Sequence, residues 1–165
     1  MHARHRTSIG VGDMRNLLVR LPLLGALGAL VLLLPHPTAS LADEAIELVE
    51  YMTRLQYFSH KAGLSIQAKN EPLTRFYLHE LEEVIEKLKT VKEYDGHPIS
   101  ALAQQILAPA FEKLEKSVEA KQLTRAQADY EAMLHACNTC HQSTAHGFIK
   151  IEQLFDNPFM QSFAP

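Results

Sequence analysis

The chain has 165 residues and a formal net charge of −3, with 16 Lys and Arg residues against 19 Asp and Glu residues. This length is enough for one hydrophobic core but not for two, and the acidic balance argues against nucleic acid as a partner. Two cysteines cannot form the multiple disulfide bonds of a small secreted scaffold.

The N-terminus has the form of a secretory signal peptide. Arg15 and Arg20 flank the start of an apolar run at residues 21–34, which is followed by prolines and small residues. The run is too short for a comfortable membrane span, so the only expected membrane attachment is an uncleaved signal anchor. We therefore assign residues 1–42 to an N-terminal extension and a signal peptide.

Cleavage before Asp43 would follow the small residues Ser40 and Ala42, which suit the positions before a signal-peptidase cut. Removing residues 1–42 takes away four arginines and one aspartate, which changes the formal net charge from −3 to −6. Such an acidic surface favours protein partners with basic surfaces.

The remaining chain is predicted to be all-α, because its apolar residues recur with helical spacing and not with the alternation of a strand. The first predicted helix runs from about Asp43 to Ala68, and the second from Asn70 to about Glu93. Each carries apolar residues on one face. Residues 94–98, with the sequence Tyr-Asp-Gly-His-Pro, predict a turn after the second helix.

The third predicted helix begins near Ile99 and contains Pro109, which lacks a backbone donor and crowds the preceding turn. We therefore expect a break or bend at residues 105–109. Thr124 and Gln127 have the spacing of a capping box, which predicts the start of a fourth helix. Short connections between four helices favour an antiparallel up-down-up-down four-helix bundle.

The fourth helix carries the chemistry-bearing motif, Cys137-Asn138-Thr139-Cys140-His141, which is the C-x-x-C-H pattern of covalent c-type haem attachment. Each thiol can form a thioether with a haem vinyl group, and the histidine can offer a ring nitrogen to the iron. Residues three and four apart share one face of a helix. The motif therefore predicts one covalently bound haem c on Cys137, Cys140 and His141.

Three other interpretations of the two cysteines remain. A structural zinc site would need distant histidines as ligands, because a second pair of cysteines is missing. A thioredoxin-like redox pair would be expected beside a strand and helix unit, which residues 120–145 do not suggest. The third interpretation is a plain structural disulfide bond.

With this motif on its last helix, the chain resembles the class II cytochromes c, the group of cytochrome c-prime and cytochrome c-556. The resemblance covers residues 43–145 and implies a haem-binding four-helix bundle with His141 as the proximal iron ligand. Residues 146–165 continue past the usual end of these proteins, and we expect this C-terminal tail to pack over the haem edge or the end of the bundle. Class II relatives often dimerise through their first two helices, so a homodimer is a further expectation.

The second axial position of the iron decides the function. In an up-down-up-down bundle the end of the last helix lies beside the start of the first, where Met52 is found. Six-coordinate class II relatives take a methionine from this helix, so the resemblance implies Met52 as the distal ligand. The alternatives are a core role for Met52, an empty sixth position, and His60 as the distal ligand.

These observations predict an exported, periplasmic bacterial cytochrome with one haem that carries single electrons between redox partners. An empty sixth position would favour a cytochrome c-prime-like protein that binds NO or CO. A further alternative is a helical interaction module without haem. The sequence has no glycine-rich phosphate loop and no Ser or Cys nucleophile beside a histidine outside the motif, so no catalytic role is indicated.

Overall fold

The computed structural model describes the backbone of residues 38–165 and the side chains of residues 47–165. The predicted N-terminal extension and nearly all of the predicted signal peptide lie outside the described residues. The predicted cleavage site before Asp43 falls within the first helix. None of the helices within residues 38–165 is long and apolar enough to cross a membrane.

The described part of the chain is all-α, as the hydrophobic periodicity predicts. It contains five α-helices and one π-helical segment: α1 at Thr38–Gln67, α2 at Glu71–Leu88, α3 at Ile99–Leu102, the π segment at Ala103–Leu107, α4 at Ala108–Glu119 and α5 at Leu123–Ser143. Residues 38–165 contain no strand, and a single antiparallel bridge joins Tyr94 to His97.

The helices pack mainly in two pairs, α1 with α2 and α4 with α5, and further contacts join α2 to α4 and α1 to α5. The largest side chains with almost no solvent exposure come from α2, α4 and α5, and they are Leu81, Val84, Ile85, Leu114 and Met133. These residues form the centre of the hydrophobic core.

Gly63 allows α1 to approach α5 closely. A Cβ atom at residue 63 would lie 2.5 Å from the hydroxyl oxygen of Tyr130. Tyr130 is buried, and its hydroxyl donates a hydrogen bond to the Ser59 carbonyl at 2.9 Å. The absence of a side chain at Gly63 therefore leaves room for the Tyr130 ring between the two helices.

Helix α2 begins as predicted, because the Asn70 side chain accepts a hydrogen bond from the Leu73 amide at 3.2 Å and caps the helix. It ends at Leu88 rather than at the predicted Glu93. The Ser100 hydroxyl donates to the Lys89 carbonyl at 2.6 Å, and the Ser100 amide donates to the Val91 carbonyl at 2.8 Å. These bonds to the start of α3 satisfy carbonyl groups that a longer helix would have used.

The predicted turn at residues 94–98 is present. Tyr94 and His97 exchange backbone hydrogen bonds of 3.0 and 2.9 Å across Asp95 and Gly96. Both central residues have positive φ, 49° and 76° respectively. Glycine and aspartate are among the residues that adopt this conformation most readily, which explains why the composition predicted the turn.

At residues 105–109, where a break or bend is predicted, the helix is not interrupted but carries a π-helical distortion. The π segment at Ala103–Leu107 lies immediately before Pro109, and Ala103, Leu107 and Ala108 all keep right-handed helical dihedral angles. A π turn replaces the regular hydrogen-bond pattern with a wider one, which accommodates a proline without ending the helix. The chain therefore stays helical from Ile99 to Glu119.

The predicted capping box at the start of α5 is wrong. Helix α5 begins at Leu123 with Gln122 as its N-cap, and Gln122 makes no side-chain capping bond. The Gln122 carbonyl accepts from the Ala126 amide at 2.8 Å, so the helical bonding starts two residues before Thr124. Gln127 donates instead to the side chains of Glu131 and Gln153.

The C-terminal tail, residues 146–165, returns along the helices. Its aromatic residue Phe163 is buried, with 7% of its surface exposed. Asn70 donates to the Phe163 and Ala164 carbonyls at 3.2 and 2.9 Å, and Tyr77 donates to the Gln161 side chain at 2.5 Å. The end of the tail is therefore held against α1 and α2.

Candidate functional site

A cavity of about 380 Å³ lies between the first half of α1, the end of α5 and the start of the tail, with α3 and the π segment as its far wall. This volume is within the range of small-molecule and cofactor sites, about 300–1,000 Å³. Its lining is mostly apolar, and it includes Leu48, Leu55, Ile99, Leu102, Ala103, Leu107 and Ile151.

The motif residues Cys137, Cys140 and His141 all line this cavity. They lie in the last two turns of α5, which continues without interruption to Ser143. The spacing of three and four residues brings their side chains to one side of the helix. The structure therefore brings together the three residues that the C-x-x-C-H pattern singles out.

Both cysteines are free thiols in an environment that disfavours their ionisation. Burial raises the pKa of Cys137 to about 12, and the neighbouring Cys140 contributes to the same shift. Burial also raises the pKa of Cys140. Redox-active cysteines have lowered pKa values, so this environment is unlike that of a thioredoxin-type pair.

The ring of His141 has a defined hydrogen-bond partner. Its Nδ1 atom lies 2.9 Å from the backbone carbonyl oxygen of Ile149. A carbonyl oxygen can only accept, so Nδ1 carries the proton and donates it. The lone pair of neutral His141 is therefore on Nε2, the arrangement found in metal-binding histidines with an outer hydrogen bond.

Met52 lies in the cavity wall formed by α1, together with Leu48 and Gln56. It is partly buried and packs against the hydrophobic core. The structure thus places Met52 and His141, which lie on different helices, at the same cavity.

His60 lies elsewhere, in a second and smaller cavity of about 180 Å³. Its Nε2 atom is 3.0 Å from the Asp156 carbonyl oxygen, and its ring meets the edge of Phe159 at a centroid distance of 5.3 Å. The tail therefore packs against the His60 ring, a contact that the sequence did not indicate. The structure does not bring His60 to the cavity that contains His141.

The sequence led us to expect the tail near the haem edge or the end of the bundle, but it did not indicate which residues of the tail and of the turn line the main cavity. His146, Ile149 and Ile151 of the tail line it, and so does Tyr94 from the turn. Their positions depend on the return of the tail, which no local pattern describes. The sequence also gave no indication of a role for Asn138, which lies between the two cysteines and whose side chain makes two hydrogen bonds to Ile151.

Two residues mark where the cavity meets the solvent. Val49 and Ile149 line it, and 62% and 44% of their respective surfaces are exposed. The opening therefore lies between α1 and the tail. Within residues 47–165, no group of three or more His, Cys, Asp or Glu side chains is arranged to hold a metal ion on its own.

The donor set and the mostly apolar lining of the cavity fit a covalently attached haem. Two thiols and one imidazole nitrogen are present on one helix side, a thioether sulfur is present on the facing helix, and most of the remaining wall is apolar. Comparison with protein-family models, curated proteins and solved structures finds no significant match to this chain.

Proposed function

We propose that the protein is a periplasmic c-type cytochrome with one haem, which carries single electrons between redox partners. The observation that carries this proposal is the convergence of Cys137, Cys140, His141 and Met52 on one apolar cavity. Such a convergence is what a haem attached by two thioethers and held by histidine requires.

We also propose that the helices form an antiparallel up-down-up-down bundle, in which α3, the π segment and α4 together make the third member. The packing of α1 on α2 and of α4 on α5, with contacts between α2 and α4 and between α1 and α5, supports this arrangement. In such a bundle the end of the last helix lies beside the first helix, where Met52 is located.

In this proposal each motif residue has one task. Cys137 and Cys140 would hold the haem as thioethers, each formed by addition of the S–H group across one vinyl group, and His141 would bind the iron through Nε2, since its Nδ1 donates to the Ile149 carbonyl. A bound haem would supply an iron that cycles between the ferric and ferrous states. The apolar walls would exclude water, and a methionine ligand such as Met52 would raise the reduction potential.

The partners would be redox proteins with basic surfaces. The acidic chain, with a net charge of −6 after removal of residues 1–42, supports this choice. We propose that these partners approach the opening beside Val49 and Ile149, since electron transfer needs close contact with one edge of the cofactor. Export to the periplasm rests on the predicted signal peptide, because c-type haem attachment takes place after export.

The test is an absorption spectrum of the full chain, expressed with haem-attachment machinery and recorded oxidised, reduced, and reduced under carbon monoxide. The proposal expects covalent haem and a low-spin spectrum that carbon monoxide leaves unchanged. Met52→Ala should then give a spectrum that responds to carbon monoxide. The control is Met160→Ala, which changes a fully exposed methionine of the tail and should leave the spectrum as it was.

A second function, binding of a small neutral molecule such as NO or CO, is favoured by the mostly apolar lining of the cavity, in which Thr53 and Gln56 are the polar neighbours of Met52. A mostly apolar distal pocket suits an uncharged diatomic molecule. A wild-type high-spin spectrum that shifts with carbon monoxide would replace electron transfer by gas binding. Colourless protein from the same expression would contradict both and leave a helical interaction module.

A further inference from the structure

The tail makes a second set of contacts close to the C-x-x-C-H motif. Two of them use the nitrogen and the oxygen of one side-chain amide group, that of Asn138. The Asn138 side-chain nitrogen, Nδ2, donates to the Ile151 backbone carbonyl at 2.8 Å, and the Ile151 backbone amide donates to Asn138 Oδ1 at 2.7 Å. Two residues earlier in the tail, the Ile149 carbonyl accepts the Nδ1 proton of His141. We call these four residues, Asn138, His141, Ile149 and Ile151, the tail clamp.

The two bonds of Asn138 specify the register of the tail. A primary amide has a donor and an acceptor side by side, and here both are used by the single residue Ile151. If the tail slipped by one residue, both bonds would be lost. The register in turn decides which tail carbonyl stands beside His141.

The end of α5 adds a third constraint on the tail. Ala145 has φ of 60°, its amide donates to the Gln142 carbonyl, and the His146 amide donates to the His141 carbonyl at 2.7 Å. These bonds form a Schellman motif, which reverses the chain at a helix end. The segment between His141 and Ile149 is therefore closed at both ends, by backbone bonds at one end and by the imidazole at the other.

We propose that Asn138 is a positioning residue for His141. By holding Ile151, it keeps the Ile149 carbonyl in place to accept the Nδ1 proton, and this bond orients the ring and makes Nε2 a stronger electron donor. The inference rests on the proposed function, because it assigns His141 to the iron of a haem. It gives the residue between the two cysteines a task other than spacing them.

The polarity of the Nδ1–H bond explains how the Ile149 carbonyl could affect a metal bound at Nε2 of His141. A strong acceptor on Nδ1 increases the negative character of the imidazole, which strengthens its bond to a metal and favours the more oxidised state. If water replaced the carbonyl, the ring would be freer to rotate and the acceptor would be less well placed. Loss of the clamp should therefore raise the reduction potential.

The experiment compares the full chain with Asn138→Ala and Asn138→Asp. The aspartate keeps an acceptor for the Ile151 amide but removes the donor to its carbonyl. Asn157→Ala is the matched control. Among the described residues, the Asn157 side chain forms hydrogen bonds only with Gln161 and Phe159, which also belong to the tail. All four proteins are prepared with and without haem-attachment machinery.

The first readout, backbone amide hydrogen exchange of Ile151, does not depend on haem. We expect it to be about tenfold faster in Asn138→Ala, consistent with loss of one partly buried hydrogen bond, and unchanged in Asn157→Ala. An intermediate effect is expected for Asn138→Asp. Equal exchange in the wild type and in Asn138→Ala would overturn the tail clamp itself.

The second readout uses the matured protein and consists of the reduction potential and the iron–histidine stretching band. We expect a higher potential and a weaker iron–histidine bond in Asn138→Ala, with neither change in Asn157→Ala. Faster Ile151 exchange together with an unchanged potential and band would overturn the positioning role and leave Asn138 as a structural tail contact. A wild type that takes up no haem would overturn the proposed function, while the exchange readout would still report on the clamp.

Discussion

Glu115, on α4, is a carboxylate whose protonation the fold alters. Burial raises the pKa of its side chain to about 7, and the negative charges of Glu82, Glu119 and Glu112 add to this shift, whereas His79 opposes it. Glu112, Glu115 and Glu119 recur on α4 at spacings of three and four residues, a pattern typical of an exposed charged face. The approach of α2 turns part of that face into a partly buried one, which the sequence could not indicate.

This pKa makes stability depend on pH in a defined direction. The folded state holds the Glu115 proton up to a pH of about 7, whereas the unfolded chain releases it near 4.5, the ordinary pKa of a glutamate side chain. Between these values the folded state binds more protons, so the free energy of unfolding falls as the pH rises from 4.5 to 7. Glu115→Gln should remove this part of the dependence and make the protein more stable than the wild type at pH 8.

Chemical denaturation at pH 5, 6, 7 and 8 would measure this effect. The control is Glu93→Gln, which removes one negative charge from an exposed position outside the helices. A pH profile of Glu115→Gln that runs parallel to the wild-type profile would contradict the assignment.

At the scale of elements, two helix connections share one construction. Lys69 and Lys121 have φ of 58° and 57°. Each is the left-handed residue of a Schellman motif, and the next helix follows directly. Asn70 and Gln122, the N-caps that follow them, also have similar backbone angles, with φ of −89° in both. The sequence predicted the start of α2 correctly because Asn70 is a strong capping residue. It misplaced the start of α5 because glutamine, the residue at position 122, is not one.

The shared geometry leads to a prediction for α5. Gln122→Asn should reproduce the Asn70 cap and raise the free energy of unfolding by about 0.5–1 kcal/mol, since a shorter side chain can reach the amide groups of the first turn. Thermal or denaturant unfolding would measure the gain. Gln122→Ala should have almost no effect, because Gln122 makes no capping bond to lose; a similar gain from alanine would point to another cause.

At the scale of the whole molecule, the tail completes the structure around Lys61. This lysine is buried, with 8% of its surface exposed, and its Nζ atom lies 4.7 Å from the ring centroids of both Tyr57 and Phe159. Nζ also donates to the Gln161 side chain at 3.0 Å. Burial alone would lower the pKa of Lys61, but the nearby Tyr57 and Tyr77 side chains outweigh it and raise the pKa. The charge is thus held among aromatic rings, which stabilise a cation.

Phe163 tests how much the tail contributes to stability. Phe163→Ala should lower the free energy of unfolding by about 2–3 kcal/mol, because it removes a buried aromatic side chain from contact with Tyr77 and Phe159. Met160→Ala is the matched control in the same segment and should change stability by no more than about 0.5 kcal/mol, since Met160 is fully exposed. Equal stability of the two variants would mean that the tail is not held to the helices in solution.

The sequence by itself determined the helical class and the three motif residues on one side of α5. Each of these follows from residues within a few turns of one another, where spacing along the chain decides which side chains share a face. The same local logic failed at Thr124, because a Schellman motif sets the backbone there, and near Pro109 it indicated a disturbed helix but not the π turn. Met52 was named from sequence through the expected bundle topology together with the resemblance to class II cytochromes c.

Only the tertiary structure decided the surroundings of the motif. Lys61 and Gln161 are 100 positions apart, and His60 and Asp156 are 96 apart, yet each pair is joined by a hydrogen bond. Contacts over such separations depend on the combined packing of several helices, and no periodicity within one segment encodes them. The cavity at Met52 and His141, the carbonyl beside His141 and the clamp at Asn138 are all of this kind.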